Sequence, residues 1–123
     1  MTDYLLVFVG GGAGAVIRYA VGELFRGRGW SAHFPWHTFL INVAGSFALG
    51  LLAVLCKDRA AMLRLLGIGV CGGFTTFSTF SVEAVRLIEE ERIGAAMGYA
   101  IGSVLAAVFG AWSGMRVMTN SLQ

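Results

Sequence analysis

Three long runs without a charged residue constrain the fold of this chain more than any other feature. Residues 38–56, 65–82 and 93–115 are 19, 18 and 23 residues long and contain no Asp, Glu, Lys or Arg. A fourth apolar segment, residues 4–25, has charges only at Arg18 and Glu23. Because a helix needs about 20 mostly apolar residues to cross the hydrocarbon core of a bilayer, this pattern predicts four transmembrane helices.

The composition favours the same interpretation. Only 13% of the 123 residues are charged and 57% are hydrophobic, whereas soluble domains carry about 25% charged residues. A small soluble domain must also keep a large polar surface, because it buries little of its area. The sequence therefore predicts one all-α integral membrane domain over residues 1–123, surrounded by lipid, with spans near residues 4–25, 37–56, 63–88 and 94–117.

The first segment also matches a soluble motif. From Gly10 it reads G-x-G-x-x-A, a pattern found where a strand turns into a helix around a dinucleotide phosphate. That fold needs an acidic residue about 20 positions further on, but no Asp or Glu occurs between Glu23 and Asp58. Gly10 and Gly14 instead form a G-x-x-x-G pair, which lets membrane helices approach closely.

The polar residues do not indicate an enzyme. No set of nucleophile, base and orienting group can be assembled from them, and we expect neither catalysis nor nucleic-acid binding. Cys56 and Cys71 lack partners at metal-ligand spacing and are predicted to be small buried hydrophobes. His33 and His37 flank Pro35 beside two tryptophans, a cluster that predicts an interfacial aromatic belt rather than a metal site.

Positive charges are divided evenly between the two sides of the membrane. With four spans, the chain ends and the second link lie on one side, and the other two links lie on the opposite side. Each side carries four positive residues: Lys57, Arg59, Arg64 and Arg116 on the first, and Arg26, Arg28, Arg86 and Arg92 on the second. The positive-inside rule then gives no preferred orientation, which predicts insertion both ways and an antiparallel pair of copies.

Small residues recur every four positions in the last apolar segment. On a helix they form one strip, which consists of Gly94, Gly98, Gly102, Ala106, Gly110 and Gly114. Such strips allow close van der Waals packing between membrane helices. The spacing predicts a tight helix contact, and it leaves open whether the partner helix belongs to the same subunit or to a second copy.

The most unusual stretch is GVCGGFTTFSTFSVEA, residues 69–84. Gly72 and Gly73 weaken a helix at mid-span, which predicts a broken third helix. Its unwound carbonyls either bind a cation or are closed by local hydrogen bonds. Beyond the break, Phe77 and Phe80 share one helical face beside several hydroxyls. For these two rings, core packing is the alternative to a role in transport.

Part of this stretch, GGFTTFSTF, resembles the signature of the Fluc/CrcB family of fluoride channels. The likeness extends to the glycine-rich first span with Arg18, to NVAGSFALG in the second span, and to the four spans themselves. The resemblance implies a channel through which fluoride leaves the cell passively across a bacterial inner membrane. It also implies an antiparallel homodimer of dual topology, with two fluoride pathways and a buried, non-transported sodium ion at its centre.

The resemblance assigns roles to individual residues. It makes Phe77 and Phe80 the pore-lining aromatics and Arg18 the charged residue near the pore mouth. The remaining residues that it assigns to the anion pathway are polar: Asn42, Ser78, Thr79, Tyr99 and Ser103. The backbone carbonyls of Gly72 and Thr75 match the positions that hold sodium in the family.

The main rival is a small proton-coupled multidrug exporter, which can share four spans and balanced charge. Such a transporter needs a membrane-embedded carboxylate to exchange protons for substrate. Glu23 lies at the end of the first segment, which counts against this alternative. Glu83 either accepts hydrogen bonds at a helix end or faces a water-filled entrance, and the sequence leaves both open.

Overall fold

The computed structural model describes residues 1–123, and its regular structure is entirely helical. Four stretches are long and apolar enough to cross a membrane. They are the first span Thr2–Gly27, the second span Trp36–Leu55, the third span Ala60–Glu89 and the fourth span Ile93–Ser121. The predicted all-α architecture with four candidate membrane spans is confirmed.

Contacts at the two ends of the molecule show how the chain runs back and forth. The Arg64 guanidinium lies 3.2 Å from the Asp3 carboxylate, so the N-terminus and the start of the third span share one end. At the other end, Arg92 donates to the carbonyl oxygen of His33, which joins the link before the second span to the link before the fourth. The four spans therefore alternate in direction.

Glycines bring the first span against the third at backbone distance. A Cβ atom at Gly10 would overlap the carbonyl oxygen of Leu65, and one at Gly14 would overlap the carbonyl oxygen of Val70. Both glycines are buried. The G-x-x-x-G pair therefore packs one helix closely against another, as the sequence predicts, and the partner helix belongs to the same subunit.

The strip of small residues on the fourth span has two different surroundings. Gly110 and Gly114 are buried against the backbone of Val43 and Phe47 in the second span. Towards the start of the fourth span, an added Cβ would meet no atom within 4 Å at three glycines: Gly94, Gly98 and Gly102. One half of the strip thus makes a tight contact inside the subunit, and the other half faces outwards.

The third span is interrupted near its middle. After a first α-helical turn it widens into a nine-residue π-helix, Leu63–Cys71, and returns to α-helical geometry over Gly72–Phe74. Thr75 and Thr76 are extended, with ψ angles of 157° and 120°. An α-helix resumes over Phe77–Glu89.

The sequence predicts the break at Gly72 and Gly73, and this position is wrong by a few residues. Gly72 is helical, with φ of −64° and ψ of −38°. A Cβ at Gly73 would overlap the backbone of Gly11 in the first span. The missing side chain of Gly73 therefore allows close packing between the spans, within a segment that is still α-helical.

Hydroxyl groups stabilise the two ends of the break. Thr75 Oγ1 donates to the carbonyl oxygen of Cys71 at 2.9 Å. Thr76 is the N-cap of the following helix, and its hydroxyl oxygen accepts the N–H of Thr79 at 3.2 Å. Threonine is favoured at this position because the bond satisfies a backbone donor that the first helical turn leaves free. Threonines rather than glycines therefore specify where the helix stops and restarts.

Much of the apolar surface stays uncovered within one subunit. Only 18 of the 123 residues are buried, and the side chains of Phe8 and Phe77 are each 77% exposed. Apolar surface of this extent belongs in lipid or against another chain. The exposure therefore fits a chain with four membrane spans.

We expect Gly14→Ala to destabilise the subunit, because the new methyl group would overlap the backbone of the third span. The expected loss is about 1–3 kcal/mol, measured as unfolding of the purified protein in mixed detergent micelles. Gly12→Ala is the matched control, because an added Cβ there meets no atom within 4 Å. Equal stability of the two variants would contradict the close contact between the first and third spans.

Candidate functional site

An amide side chain from the second span forms hydrogen bonds with the backbone at the break in the third span. Asn42 Nδ2 donates to the carbonyl oxygen of Thr76 at 3.0 Å, and the Thr76 N–H donates to Asn42 Oδ1 at 2.8 Å. The amide thus pairs with both backbone groups of one extended residue. Unpaired backbone groups are costly inside a membrane, so this pairing allows extended backbone to persist there.

The break also leaves carbonyl oxygens without donors. In an uninterrupted helix the Gly72 carbonyl would accept the N–H of Thr76, but that N–H donates to Asn42. No donor of the chain reaches the carbonyl oxygen of Thr75 either. Free carbonyls at broken membrane helices are suited to coordinating alkali cations. The two carbonyls that the family resemblance assigns to sodium therefore fit such an ion in their donor chemistry.

Arg18 reaches the same break from the first span. Its Nε donates to the carbonyl oxygen of Gly73 at 3.1 Å, and the bond is partly buried. No carboxylate of the chain lies within 4 Å of this guanidinium. An unpaired cation at membrane depth is costly and therefore marks a candidate functional position.

A cavity of about 250 Å³ lies between the second, third and fourth spans; we call it the phenylalanine cavity. Five of the predicted site residues line it: Asn42, Thr75, Phe77, Phe80 and Ser103. The rest of its lining consists of Gly45, Ser46, Leu49, Thr76, Val104 and Ala107. Every one of these side chains is uncharged.

The phenylalanine cavity offers weak positive partial charges. The ring centroids of Phe77 and Phe80 are 5.5 Å apart and the rings are inclined by 39°. Ser103 is 5% exposed, and its hydroxyl has no hydrogen-bond partner. A buried hydroxyl without a partner is costly, so a water molecule or a polar ligand would stabilise it. Hydroxyl hydrogens and ring edges both favour a negatively charged ligand.

A second cavity, of about 220 Å³, lies where the first and second spans meet the break; we call it the arginine cavity. Arg18 and Thr79, both predicted site residues, line it. The other lining residues are Ala15, Tyr19, Gly22, Arg26, His37, Thr38, Ile41 and Thr76. Thr76 also lines the phenylalanine cavity, so the two cavities adjoin at the extended residue of the break.

A third cavity, of about 370 Å³, lies under the link that precedes the second span; we call it the outer cavity. Its polar lining is rich in charge and comprises Arg26, Ser31, His33, His37, Glu83, Arg86, Glu90 and Arg92. The outer cavity therefore differs sharply from the uncharged phenylalanine cavity.

Three side chains converge on the carboxylate of Glu83. The Tyr99 hydroxyl donates to Oε2 at 2.7 Å and the Thr38 hydroxyl donates to Oε1 at 3.0 Å. His37 Nε2 lies 3.3 Å from the same Oε1. Glu83 thus accepts hydrogen bonds and also faces the outer cavity, which combines the two alternatives that the sequence left open. Tyr99 is fully buried and directs its hydroxyl to Glu83, while its ring packs 5.0 Å from that of Phe80.

Three predicted site residues line none of these three cavities. One is Tyr99, and the other two are Ser78 and Gly72. Ser78 is exposed, with its hydroxyl oxygen 3.4 Å from that of Thr76. Gly72 is also exposed. The structure therefore brings most of the predicted residues to the break and leaves these two on the surface of the subunit beside it.

Sequence reasoning missed the roles of Thr76, Thr38 and His37. A threonine directly before an amphipathic helix is a recognisable N-cap signal, and it could have identified Thr76. The other two residues carry no comparable signal. Their partner, Glu83, lies 45 residues after Thr38 in the chain, so only the packing of the spans brings them together.

The sequence matches a known family over most of its length. Residues 5–115 match the model of the family described as CrcB-like protein, Camphor Resistance (CrcB). The chain belongs to this family. The resemblance recognised in GGFTTFSTF is therefore confirmed.

Curated relatives of this CrcB-family chain are similar to it from end to end. A protein of Nitrobacter hamburgensis named fluoride-specific ion channel FluC 2 is 46% identical over 122 residues, covering 96% of this chain and 98% of the relative. The fluoride-specific ion channel FluC of Novosphingobium aromaticivorans is 48% identical, covering 96% and 97%. The protein of that name in Thermus thermophilus is 42% identical, covering 95% of each.

We expect Asn42→Leu to destabilise this CrcB-family subunit, because it leaves both backbone groups of Thr76 unpaired at membrane depth. The expected loss is about 1–3 kcal/mol, measured by unfolding in mixed micelles. Ser46→Ala is the matched control, since Ser46 lies one turn further along the second span and lines the same cavity, while the bonds to Thr76 come from Asn42. If both variants were equally stable, the amide pairing would not support the break.

Proposed function

We propose that this chain is a fluoride-selective channel through which fluoride leaves the cell passively, so that the concentration of fluoride in the cytoplasm falls. The names of the full-length relatives point to this ion. The observation that carries the proposal is the phenylalanine cavity, where the unpartnered Ser103 hydroxyl lies among uncharged donors. The membrane would be the inner membrane of a bacterium, crossed by all four spans.

The chemistry of the phenylalanine cavity suits a small, strongly hydrated anion. A pore must replace much of the hydration shell with donors strong enough for the ion to enter and weak enough for it to leave. The Ser103 hydroxyl, the edges of Phe77 and Phe80, and the second N–H of the Asn42 amide are such donors. A full positive charge there would hold the anion too firmly, and the lining has none.

We propose that the arginine cavity supplies anions to this pathway. Arg18 forms no ion pair, so its charge is available to attract anions towards the break. Thr79 lines the same cavity, and Ser78 adds a hydroxyl on the adjacent surface. Tyr99 contributes by fixing the carboxylate of Glu83 and by packing against Phe80.

We further propose an antiparallel homodimer with two such pathways. The Phe77 side chain lines the phenylalanine cavity and is nevertheless 77% exposed, so one subunit encloses the pathway only in part. A second copy would cover it. The even division of positive charge gives insertion no preferred direction, and two oppositely inserted copies can then assemble around a symmetry axis in the membrane plane.

A structural sodium ion at the dimer centre would coordinate the carbonyl oxygens that the break leaves without hydrogen-bond donors. The free carbonyl oxygens of Gly72 and Thr75 in two copies would supply four oxygen ligands, and hard cations bind oxygen ligands of this kind. The ion would stay in place rather than cross the membrane. It would offset the cost of leaving these carbonyls unpaired at membrane depth.

The fluoride proposal is tested with purified protein in liposomes, by following fluoride and chloride efflux with ion-selective electrodes. We expect rapid fluoride efflux and little chloride efflux from the unmodified protein. Phe77→Ile and Phe80→Ile keep apolar bulk but remove the ring edge, and each should lower fluoride efflux by about tenfold or more. Phe8→Ile is the matched control, because Phe8 is as exposed as Phe77 but lines none of the three cavities.

Absence of fluoride efflux from the unmodified protein would overturn the proposed function. Normal efflux in both phenylalanine variants would retain a channel but remove the rings from its pathway. Proton-driven uptake of an organic cation, without fluoride efflux, would identify a multidrug exporter instead.

The sodium proposal predicts that sodium stabilises the purified dimer and that potassium does so poorly. At about 100 times its dissociation constant, a bound ion adds about 2.7 kcal/mol to the free energy of unfolding. The measurement is thermal unfolding in detergent with sodium, potassium or choline as the only cation. Equal stability in the three solutions, together with no retained sodium by elemental analysis, would overturn the site.

A further inference from the structure

His37 lies between two of the cavities. Only two residues line both the outer cavity and the arginine cavity, and these are His37 and Arg26. The Arg26 guanidinium forms an ion pair with Glu23. The imidazole of His37 is thus the side chain at the junction that can change its charge near neutral pH, because histidine ordinarily gains or loses a proton between pH 5 and 8.

The hydrogen bonds of His37 suit both protonation states. Nε2 lies 3.3 Å from Glu83 Oε1, and Nδ1 lies 3.0 Å from the Ser31 hydroxyl oxygen. In the neutral ring Nε2–H donates to Glu83 while the Ser31 hydroxyl donates to Nδ1. In the protonated ring Nδ1–H donates to Ser31 instead, since the serine hydroxyl can accept as well as donate. A proton can therefore bind without breaking either contact.

Protons can reach the ring from the solution. The His37 side chain is 17% exposed and that of Glu83 is 14% exposed. Both line the outer cavity, whose wall also includes the exposed His33 and the partly buried Arg92 from the two links. The ring therefore lies between solvent and the arginine cavity, largely buried but still accessible to solvent.

The charged and titratable groups that surround His37 come from the first span, the third span and the adjoining links. The first span contributes Arg18 and Arg26, and Glu23 is paired with the latter. The third span contributes Glu83, Arg86 and Glu90, and the adjoining link contributes Arg92, which pairs with Glu90. His33 and the phenols of Tyr19 and Tyr99 complete the titratable groups. Arginines, carboxylates and phenols ordinarily keep their charge between pH 5 and 8.

We propose that His37 is a proton-binding site at the entrance of the anion pathway, and that protonation of its ring increases anion throughput. This inference rests on the proposed fluoride channel. With a neutral ring, the Glu83 carboxylate is a negative charge beside the junction of the two cavities. With a protonated ring, the pair is neutral overall and no longer opposes an anion.

The size of the effect follows from a single charge in a hydrated cavity. One added positive charge within several ångströms of the path should raise the rate by about threefold to tenfold. The rate should therefore be highest in mildly acidic solution and fall as the pH rises through the range in which histidine loses its proton.

The first test measures fluoride efflux from liposomes with the same pH on both sides, from about pH 5.5 to about pH 8. Protein-free vesicles give the leak of neutral hydrogen fluoride, which is subtracted. We expect the unmodified protein to lose about threefold to tenfold of its rate across this range. His37→Gln should remove the pH dependence. His33→Gln is the matched control and should retain it, because His33 lines the same cavity without contacting Glu83.

A second test reports the proton itself. The chain has two histidines, so His33→Gln leaves His37 as the only imidazole, and ¹⁵N NMR of the labelled ring follows its titration in detergent. We expect the ¹⁵N shifts of this ring to change as the pH is lowered from about 8 to about 5, because the ring takes up a proton.

The outcomes separate this inference from the function on which it rests. An unchanged pH profile in His37→Gln, or a ring that does not titrate in this range, would overturn the proton-binding role. Absence of fluoride efflux at every pH would overturn the channel and the throughput effect together. A titrating ring would then still establish the proton site.

Discussion

The extended backbone at Thr76 is the feature on which the rest of the site depends, because extended backbone inside a membrane must find hydrogen-bond partners. Asn42 supplies partners for both groups and so holds the second span beside the break. The helices before and after the break can then end and begin without water. The arginine and phenylalanine cavities adjoin at Thr76, where the third span departs from a single continuous helix.

Close packing of the first and third spans complements this pairing. Helices in lipid gain little from hydrophobic burial and associate through van der Waals contact, so the absence of side chains at Gly10 and Gly14 sets how near the two backbones lie. Arg18 follows Gly14 by about one turn and reaches the Gly73 carbonyl because of that proximity. Helix packing and the position of the Arg18 guanidinium are therefore determined together.

The sequence predicted those features that depend on local pattern. Charge-free runs identify the spans because length and apolarity decide insertion, and Gly10 and Gly14 predict a close contact. The break was predicted at Gly72 and Gly73 because glycine weakens a helix, whereas Gly73 is α-helical and packs against Gly11 of the first span. That contact joins residues far apart in the chain, and only the Thr76 N-cap carries a local signal for the restart. The hydrogen-bond partners of Glu83 could not be predicted from the sequence either, since they come from other spans. Assigned pathway and sodium residues stay predictions, although most of them lie at the break.

The π-helix Leu63–Cys71 determines the rotational phase of everything that follows it in the third span. Its hydrogen bonds close over one residue more than those of an α-helix, and each residue of an α-helix turns the chain by about 100°. The length of this stretch sets which side of the third span Gly73 presents to Gly11 of the first span. The number of residues between the second link and the break is therefore constrained together with the identity of Gly69, whose added Cβ would overlap the backbone of Gly10. Changes in chain length belong in the links.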